Sequence, residues 1–400
     1  MRNATIKIQQ RCDAVFGRFY YPIVCLILLL MVIFTAKRGY AFSEAWDEWM
    51  VADWLISYAA GFVRRGLSGE LILFASDVFG IRANVLVFVV FFSLFTILCV
   101  LFARLIRNRQ ITFWYFCLCI SPGFVLFTFY DPFALGRKEI LLFVAFCSWA
   151  TILAGRSCPG RGRQAALGIV CVLLTLMHEL FLFFSFYFVL LAFLASRSAD
   201  RDNRWQFSLL FPCCSLLAVL VINQFSGAIA DPAVCQRLID IGAPAGVCEG
   251  VLTYDAITTG DALSRFAGQF RLSTVLGLAG LFPVILLPIH LFLASNLSAR
   301  EDAGRITAAV VGLIVVSLPL FVLGRDWGRW ISIHVVLLTI TCSVLLPHKQ
   351  TRPSDPQPGR TSGALIVGVC VICSMFLWSL RHCCEYEYMN ALGPLERLLP

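Results

Sequence analysis

Long apolar runs separated by short polar loops dominate the sequence, a pattern typical of proteins that cross a membrane many times. A transmembrane helix needs about 20 apolar residues, and shorter runs can span when the helix tilts or the bilayer thins. We therefore predict an all-α, polytopic transmembrane helix bundle of about eleven spans. The predicted spans are residues 19–36, 85–105, 111–129, 139–154, 164–178, 180–195, 207–225, 275–294, 306–323, 330–346 and 363–380.

Composition agrees with this pattern and excludes a soluble globular domain. The chain is 59% hydrophobic and 14% charged, with a mean hydropathy of +0.82. Such values are typical of integral membrane proteins. Basic residues precede the first apolar run, as in a signal peptide, but no clean small-residue cleavage site follows. We interpret this run as an uncleaved first span and residues 1–400 as a single integral membrane domain.

The distribution of Lys and Arg predicts the orientation, because cytoplasmic loops of membrane proteins are enriched in these residues. The basic loops 104–110, 156–163, 197–204, 299–305 and 348–360 all lie in the cytoplasm only if the run 164–195 crosses twice. That run would turn at His178 and Glu179, although a re-entrant hairpin would satisfy the same constraint. The N-terminus is then cytoplasmic, and the C-terminus lies on the outer, periplasmic side. We interpret residues 347–362 as a flexible cytoplasmic linker.

This orientation places five polar segments on the periplasmic side. The first periplasmic segment, 37–84, contains the charged stretch WDEWMVADWLISYAAGFVRRGLSGE at 46–70. The other four are DPFALGRKE at 131–139, the turn at 178–179, a large periplasmic loop at 226–274, and GRDWGRW at 324–330. We expect these segments to form one shared pocket.

Cations in these segments suggest a phosphate or pyrophosphate ligand, because guanidinium groups bind its oxygens bidentately. The alternative is that the basic side chains extend to lipid headgroups without a specific ligand. The predicted ligand-binding residues are Arg64, Arg65, Arg137, Lys138, Arg325, Asp326 and Arg329.

Acids accompany each group of cations, with Glu70 near Arg65, Asp131 and Glu139 flanking Arg137, and Asp326 between Arg325 and Arg329. If the last segment is helical, Arg325 and Arg329 share a face. Carboxylates in such positions act as general bases or as structural ion-pair partners. Ionisable groups where two short spans meet are costly unless they face a cavity or a partner. The candidates for a catalytic base are Glu70, Asp131, His178 and Glu179.

Cysteine positions indicate one disulfide and no metal site. Most of the 17 cysteines fall in apolar spans, where they act as small hydrophobic residues. Cys235 and Cys248 are the two cysteines of the large periplasmic loop, and we predict that they pair, with Cys383 and Cys384 as competing partners. Neither a cofactor nor a nucleotide-binding phosphate loop is indicated. The net charge of +8 does not indicate nucleic acid binding, because charge in such a chain depends on the side of the membrane.

Charged groups on the outer face, a large outer loop between later spans and no soluble domain together resemble the inner-membrane proteins of bacterial exopolysaccharide clusters. These are the polymerase and export-type components, similar in architecture to O-antigen polymerases. The stretches that carry the resemblance are GFVRRGL at 61–67 and GRDWGRW at 324–330. The resemblance implies undecaprenyl-pyrophosphate-linked repeat units as ligands. It also implies membrane lipid and other proteins of a polysaccharide synthesis and export complex as partners.

Three hypotheses follow for the activity. The first is a membrane-embedded glycosyltransferase that polymerises lipid-linked repeat units at the periplasmic face, with arginines stabilising the charge of the pyrophosphate leaving group. The second is export of the polysaccharide or translocation of its lipid-linked intermediates across the membrane. The third is a noncatalytic scaffold within a synthesis complex.

Overall fold

The computed structural model describes residues 2–154, 161–198, 208–227, 232–254, 260, 264, 286–296, 300–324 and 326–348. Within these ranges the chain is helical, and the regular β-structure is limited to isolated bridges. The helices are α1 (Arg2–Glu44), α2 (Val51–Leu55), α3 (Gly66–Phe79), α4 (Ala83–Arg107), α5 (Phe113–Cys119), α6 (Phe127–Tyr130), α7 (Glu139–Ala154), α8 (Arg161–Met177), α9 (Phe181–Ser198), α10 (Leu210–Phe225), α11 (Pro232–Asp240), α12 (Val251–Tyr254), α13 (Leu286–Asn296), α14 (Arg300–Leu323) and α15 (Trp327–Val344).

The all-helical class is confirmed for the described residues. Four of their helices are long and apolar enough to cross a membrane, namely Phe16–Glu44, Ala83–Arg107, Gly304–Val322 and Trp327–Val344. Shorter apolar helices accompany them, including α7 to α10 and α13. The total of about eleven spans and the orientation of the termini stay predictions. The predicted span 363–380, most of the span 275–294 and most of the linker 347–362 lie outside the described residues.

The predicted span 111–129 is not one helix. α5 ends at Cys119 and α6 begins at Phe127, with turns through Ser121, Pro122 and Gly123 between them. Proline lacks an N–H group and disfavours helical geometry at the residue before it. The irregular backbone is buried, and Ser332 Oγ donates to the Gly123 carbonyl at 2.9 Å. A break at this place is tolerated because protein rather than lipid surrounds it.

The chain divides into two compact units. Unit 1 comprises Met1–Met31, Cys99–Ala134 and Phe266–Pro400. In this unit α5 packs against the largely buried α15, and Tyr115 donates to the Thr339 carbonyl at 3.2 Å. Tyr20 stacks on Phe116 with ring centroids 4.6 Å apart. Unit 1 is thus an apolar helical core in which aromatic side chains join α1, α5 and α15.

Unit 2 comprises Val32–Leu98 and Leu135–Arg265. Its helices α8, α9 and α10 pack together, α7 packs on α9, and α3 packs on both α2 and α8. Phe146 of α7 lies edge-on to Phe188 of α9, and Phe188 in turn contacts Phe211 of α10. This aromatic core holds the turn between α8 and α9 and the start of α7 close to α2 and α3.

Two features of unit 2 differ from the predicted boundaries. Residues 37–44 continue α1 instead of opening a loop, and residues 66–79 form a separate helix, α3. The apolar residues of α3 number too few for a span, so a search for runs of about 20 residues does not detect it.

Candidate functional site

The turn between α8 and α9 holds Glu179 against two arginines. α8 ends at Met177 and α9 begins at Phe181, so the run 164–195 divides into two helices at the predicted place. Arg65 Nε donates to both carboxylate oxygens of Glu179, at 3.1 and 3.0 Å, and Arg65 Nη2 donates to Oε1 at 2.7 Å. Arg64 Nη1 lies 3.6 Å from the same Oε1 atom. One carboxylate therefore fixes two neighbouring guanidinium groups.

The electrostatic surroundings of Glu179 keep it ionised. Burial alone would raise the pKa of Glu179, but the charges of Arg65, His178 and Arg64 outweigh it and hold the pKa well below its usual value. His178 is buried, with Nδ1 3.7 Å from Oε2 of Glu179 and 3.4 Å from the backbone N–H of Leu180. A base is most effective when its pKa lies near the working pH. Glu179 is thus an anchor for the arginines and a weak candidate for the base.

Arg65 adopts a left-handed backbone conformation, with φ of 63° and ψ of 4°, directly before α3. Such a conformation costs a non-glycine residue about 1 kcal/mol. The contacts of the Arg65 side chain with Glu179 and of its carbonyl with Lys138 hold it in place. The backbone of α3 also approaches the end of α2 closely at Gly69, since a Cβ atom on Gly69 would lie 2.0 Å from the Ile56 carbonyl oxygen. The backbone strain therefore falls on a residue of the charged cluster.

Lys138 joins the parts of this cluster from inside. Its side chain is 0% exposed, and Nζ lies 3.5 Å from Asp53 Oδ1. Nζ also donates to the carbonyls of Arg65 and Met177, at 3.3 and 3.4 Å. Lys138 thereby ties the start of α7 to α2, to the Arg65 turn and to the end of α8. Lys138 therefore holds the Arg65 turn through the Arg65 carbonyl, and its predicted part in ligand binding stays a prediction.

Arg137 contacts the turn at 47–50. Its Cζ atom lies 5.5 Å from the centre of the Trp49 ring, and Nη1 donates to the Trp49 carbonyl at 3.3 Å. Nearby, Trp54 Nε1 donates to the Gly136 carbonyl at 2.6 Å. Gly136 has a φ of 82°, and an added Cβ atom would lie 2.1 Å from the Met50 side chain. Residues 135–139 of the predicted segment 131–139 therefore lie against the segment 46–70.

Glu70 pairs with Arg237 of α11, whereas the sequence suggested Arg65 as its neighbour. Oε2 and Oε1 accept from Arg237 at 2.9 and 3.3 Å, and Oε2 also accepts from the Tyr58 backbone N–H at 3.1 Å. The hydrogen bond from Arg237 lowers the pKa of Glu70, which makes it a weak base as well. Sequence reasoning missed Arg237, although its position two residues after Cys235 was a usable signal.

A disulfide holds the segment that carries Arg237. Cys235 and Cys248 are bonded, with an Sγ–Sγ distance of 2.01 Å. The segment also packs on α2, and the Val251 backbone N–H donates to the carbonyl of Glu48, just before α2, at 3.3 Å. Gly227 pairs with Phe62 in the same way, through its backbone N–H at 2.8 Å. Residues 232–254 therefore pack on α2, and Arg237 binds Glu70 in the first half of α3.

The remaining predicted site residues belong to unit 1. Asp131 is buried, and its Oδ1 accepts from the Phe133 backbone N–H at 3.2 Å. Asp326 forms a salt bridge with Arg329, and α15 begins at Trp327. Arg325 lies outside the described residues, so the face that it was expected to share with Arg329 stays a prediction. The grouping of all five segments in one pocket stays a prediction.

A protein-family model described as "uncharacterised membrane protein Rv1490" matches residues 20–243, which is more than half of the chain. The chain belongs to this family. No curated protein and no solved structure matches it. The Rv1490 match includes Arg64, Arg65, Lys138, Glu179 and Arg237, so the whole cluster of unit 2 lies within the matched region. Together with the apolar helices, the match establishes a membrane protein.

Proposed function

We propose that the protein is a bacterial inner-membrane protein of exopolysaccharide biosynthesis. In this proposal it binds the pyrophosphate of a polyprenyl-linked saccharide at its periplasmic face and polymerises the lipid-linked repeat units. The observation that carries the proposal is the convergence of Arg64 and Arg65 on Glu179. The side chain of Arg64 is 33% exposed and that of Arg65 is 15% exposed, so the outer guanidinium of the pair stays accessible to a ligand.

The charges of the cluster favour an anionic ligand. Three cations, Arg64, Arg65 and Lys138, surround two carboxylates, Glu179 and Asp53. The oxygens of a pyrophosphate suit the partly exposed guanidinium group of Arg64. The arginines are already fixed by Glu179 and Lys138. Little conformational entropy is therefore lost when the ligand binds.

The same contacts assign roles in the proposed transfer. An acceptor hydroxyl oxygen bonds to the anomeric carbon, the bond from that carbon to the pyrophosphate oxygen breaks, and a base takes the hydroxyl proton. Arg64, with Arg65 behind it, stabilises the negative charge of the departing pyrophosphate. Glu70 and Glu179 are held ionised by cations and are poor bases, so in this proposal the hydroxyl proton goes to neither of them.

The fixed position of Glu179 also supports binding of the phosphate over binding of the sugar. Its two oxygens are occupied by Arg65, so few lone pairs are left for sugar hydroxyls. The alternative function, export of the polysaccharide or translocation of its lipid-linked intermediates, uses the same ligand and is separated from polymerisation by experiment.

The test is deletion of the gene in its host, followed by analysis of the lipid-linked intermediates and the polymer. Single repeat units trapped on lipid outside the membrane indicate loss of polymerisation. Units trapped inside indicate loss of translocation, and full-length polymer retained in the periplasm indicates loss of export. Either of the last two results would replace polymerisation by the alternative function.

Complementation then tests the cluster itself. We expect Arg64→Ala to accumulate single lipid-linked units as the deletion does. Arg82→Ala is the matched control. Arg82 is an exposed arginine of unit 2, and it pairs with Glu44, at 2.7 Å, instead of with the cluster. Normal chain length with Arg64→Ala and with Arg65→Ala would overturn the catalytic role of the arginines.

A further inference from the structure

Helix α3 carries a stripe of apolar side chains at the protein surface. Leu67, Leu71, Phe74 and Val78 recur at helical spacing and lie along one side of the helix. Leu71, Phe74 and Val78 are exposed, and the exposed fraction of Phe74 is 66%. A soluble protein seldom leaves such a stripe uncovered, so it marks a contact with another apolar phase or partner.

The remaining sides of α3 differ from the stripe. Gly69 and Ile72 are buried on the side opposite the stripe, where α3 packs against α2 and α8. Glu70 and Asp77, seven residues apart, lie along one flank, and Glu70 binds Arg237 of the disulfide-bonded segment. The helix thus has a buried side, an acidic flank and an exposed apolar stripe.

The length and the acidic flank of α3 together indicate what covers this stripe. Its 14 residues measure about 21 Å, short of the roughly 30 Å hydrocarbon core of a bilayer. With Arg64 and Arg65 at the interface, an upright α3 would carry the exposed Asp77 into the hydrocarbon, where a charged side chain is costly. A helix with an apolar stripe and a polar flank along its length lies instead in the plane of the interface, with its apolar side toward the acyl chains. The neighbouring helix α8 also exposes apolar side chains, Ile169 and Leu173, which points to the same lipid environment.

We propose that α3 is an in-plane interfacial helix whose stripe at Leu71, Phe74 and Val78 is covered by the acyl chains of the bilayer. Arg65 directly precedes α3 and Arg64 precedes Arg65, so both lie at the level of lipid phosphates. An anionic lipid therefore reaches Arg64 sideways from the membrane, with its chain beside the stripe. The identity of this lipid as a polyprenyl pyrophosphate rests on the proposed function, whereas the placement of α3 does not.

Photocrosslinking tests the placement of α3. The photoreactive residue p-benzoylphenylalanine replaces Phe74 in the full chain, reconstituted in phospholipid nanodiscs. We expect a lipid adduct by mass spectrometry. Position 77, on the acidic flank, is the matched control and gives little adduct. Position 89, exposed on the apolar helix α4, is the positive control. Adducts at 89 without adducts at 74, or a protein adduct at 74, would overturn the placement.

Ligand binding tests the sideways approach. The affinity of the wild-type protein in nanodiscs is measured for two ligands, undecaprenyl pyrophosphate in the bilayer and inorganic pyrophosphate in water. We expect Phe74→Asp to weaken binding of the membrane-embedded ligand about tenfold, because the side chain no longer enters the apolar phase. It should leave binding of inorganic pyrophosphate unchanged, and Phe74→Leu should bind both ligands as the wild type does.

The outcomes separate this inference from the proposed function. Equal weakening for both ligands, or none for either, would overturn the sideways approach. If the wild-type protein binds neither ligand, the proposed pyrophosphate function fails and sideways approach of that lipid fails with it. The crosslinking result still decides whether acyl chains cover the stripe of α3.

Discussion

Arg65 Nη2 lies 2.7 Å from Glu179 Oε1, although the two residues are 114 positions apart in the chain. The contact joins the left-handed turn before α3 to the turn between α8 and α9, and Arg64 and His178 approach the same carboxylate. Because the pair is partly buried, its removal leaves cations without their counter-charge in a region of reduced solvent access. The contact therefore links the stability of unit 2 to the geometry of the proposed ligand site.

Glu179→Gln tests this link. The substitution keeps the shape of the side chain and removes its charge, so we expect a loss of about 1–3 kcal/mol in unfolding free energy. The measurement is denaturation of the purified protein in detergent. Glu44→Gln is the control, because its pair with Arg82 is largely exposed and should contribute less than about 1 kcal/mol. An equal loss in both variants would argue against a special role for the cluster.

Acid pH should weaken the same contact in the wild type. The pKa of Glu179 is lower in the folded protein than its unfolded value of about 4.3, so its contribution is complete above about pH 5 and is lost as pH falls through the folded pKa. We expect the stability difference between wild type and Glu179→Gln to be largest near neutral pH and to shrink in acid. Unfolding midpoints measured across this range check the sign. A difference that grows in acid would contradict the assignment.

Periodicity and composition were sufficient to predict the helical class and the limits of several helices. The predicted span 139–154 coincides with α7, and the run 164–195 breaks at His178 and Glu179 as expected. These features follow from local signals, namely apolar run length and the cost of placing ionisable groups among apolar residues. The break inside 111–129 was missed because it depends on tertiary burial of the irregular backbone at Pro122, which apolar run length does not show.

The candidate site was predictable in its members and less so in its pairings. Arg64, Arg65 and Glu179 were all identified, but the expected neighbour of Arg65 was Glu70. In the helix α3, Glu70 turns toward Arg237, and Arg65 turns toward Glu179 through its left-handed backbone. Neither contact is local in sequence, so spacing could not distinguish them. Lys138 was predicted as a ligand-binding residue, which stays a prediction, and only the structure reveals its complete burial beside Asp53.

A double-mutant cycle tests the pairing of Lys138 with Asp53. Lys138→Met should destabilise the protein by about 3–5 kcal/mol, because it leaves the carboxylate of Asp53 buried without its counter-charge. Adding Asp53→Asn removes that charge, and we expect it to recover a large part of the loss. The coupling energy, from denaturation in detergent, should exceed about 1 kcal/mol. Additive effects of the two substitutions would show that Lys138 and Asp53 do not act as a pair.

Gly69→Ala tests the close approach of α3 to α2. The added methyl group would lie 2.0 Å from the Ile56 carbonyl oxygen, so the backbone must shift. We expect a loss of about 1–3 kcal/mol, as for overpacking in a core. Gly304→Ala is the control, because an added Cβ atom at this position of α14 meets nothing within 4 Å. It should be neutral or slightly stabilising through its effect on the unfolded chain. Similar losses at both positions would contradict the packing argument.

The disulfide offers a test of stability and orientation together. Replacing Cys235 and Cys248 by Ser should cost about 2–4 kcal/mol, because the bond closes a segment that also carries Arg237 onto Glu70. Cys213→Ser, at an exposed free cysteine of α10, should have no comparable effect. In intact cells, a membrane-impermeant reductant followed by an impermeant maleimide should label Cys235 and Cys248, since disulfides persist in oxidising compartments. Labelling only after the cells are permeabilised would place this segment in the cytoplasm and reverse the predicted orientation of the cluster.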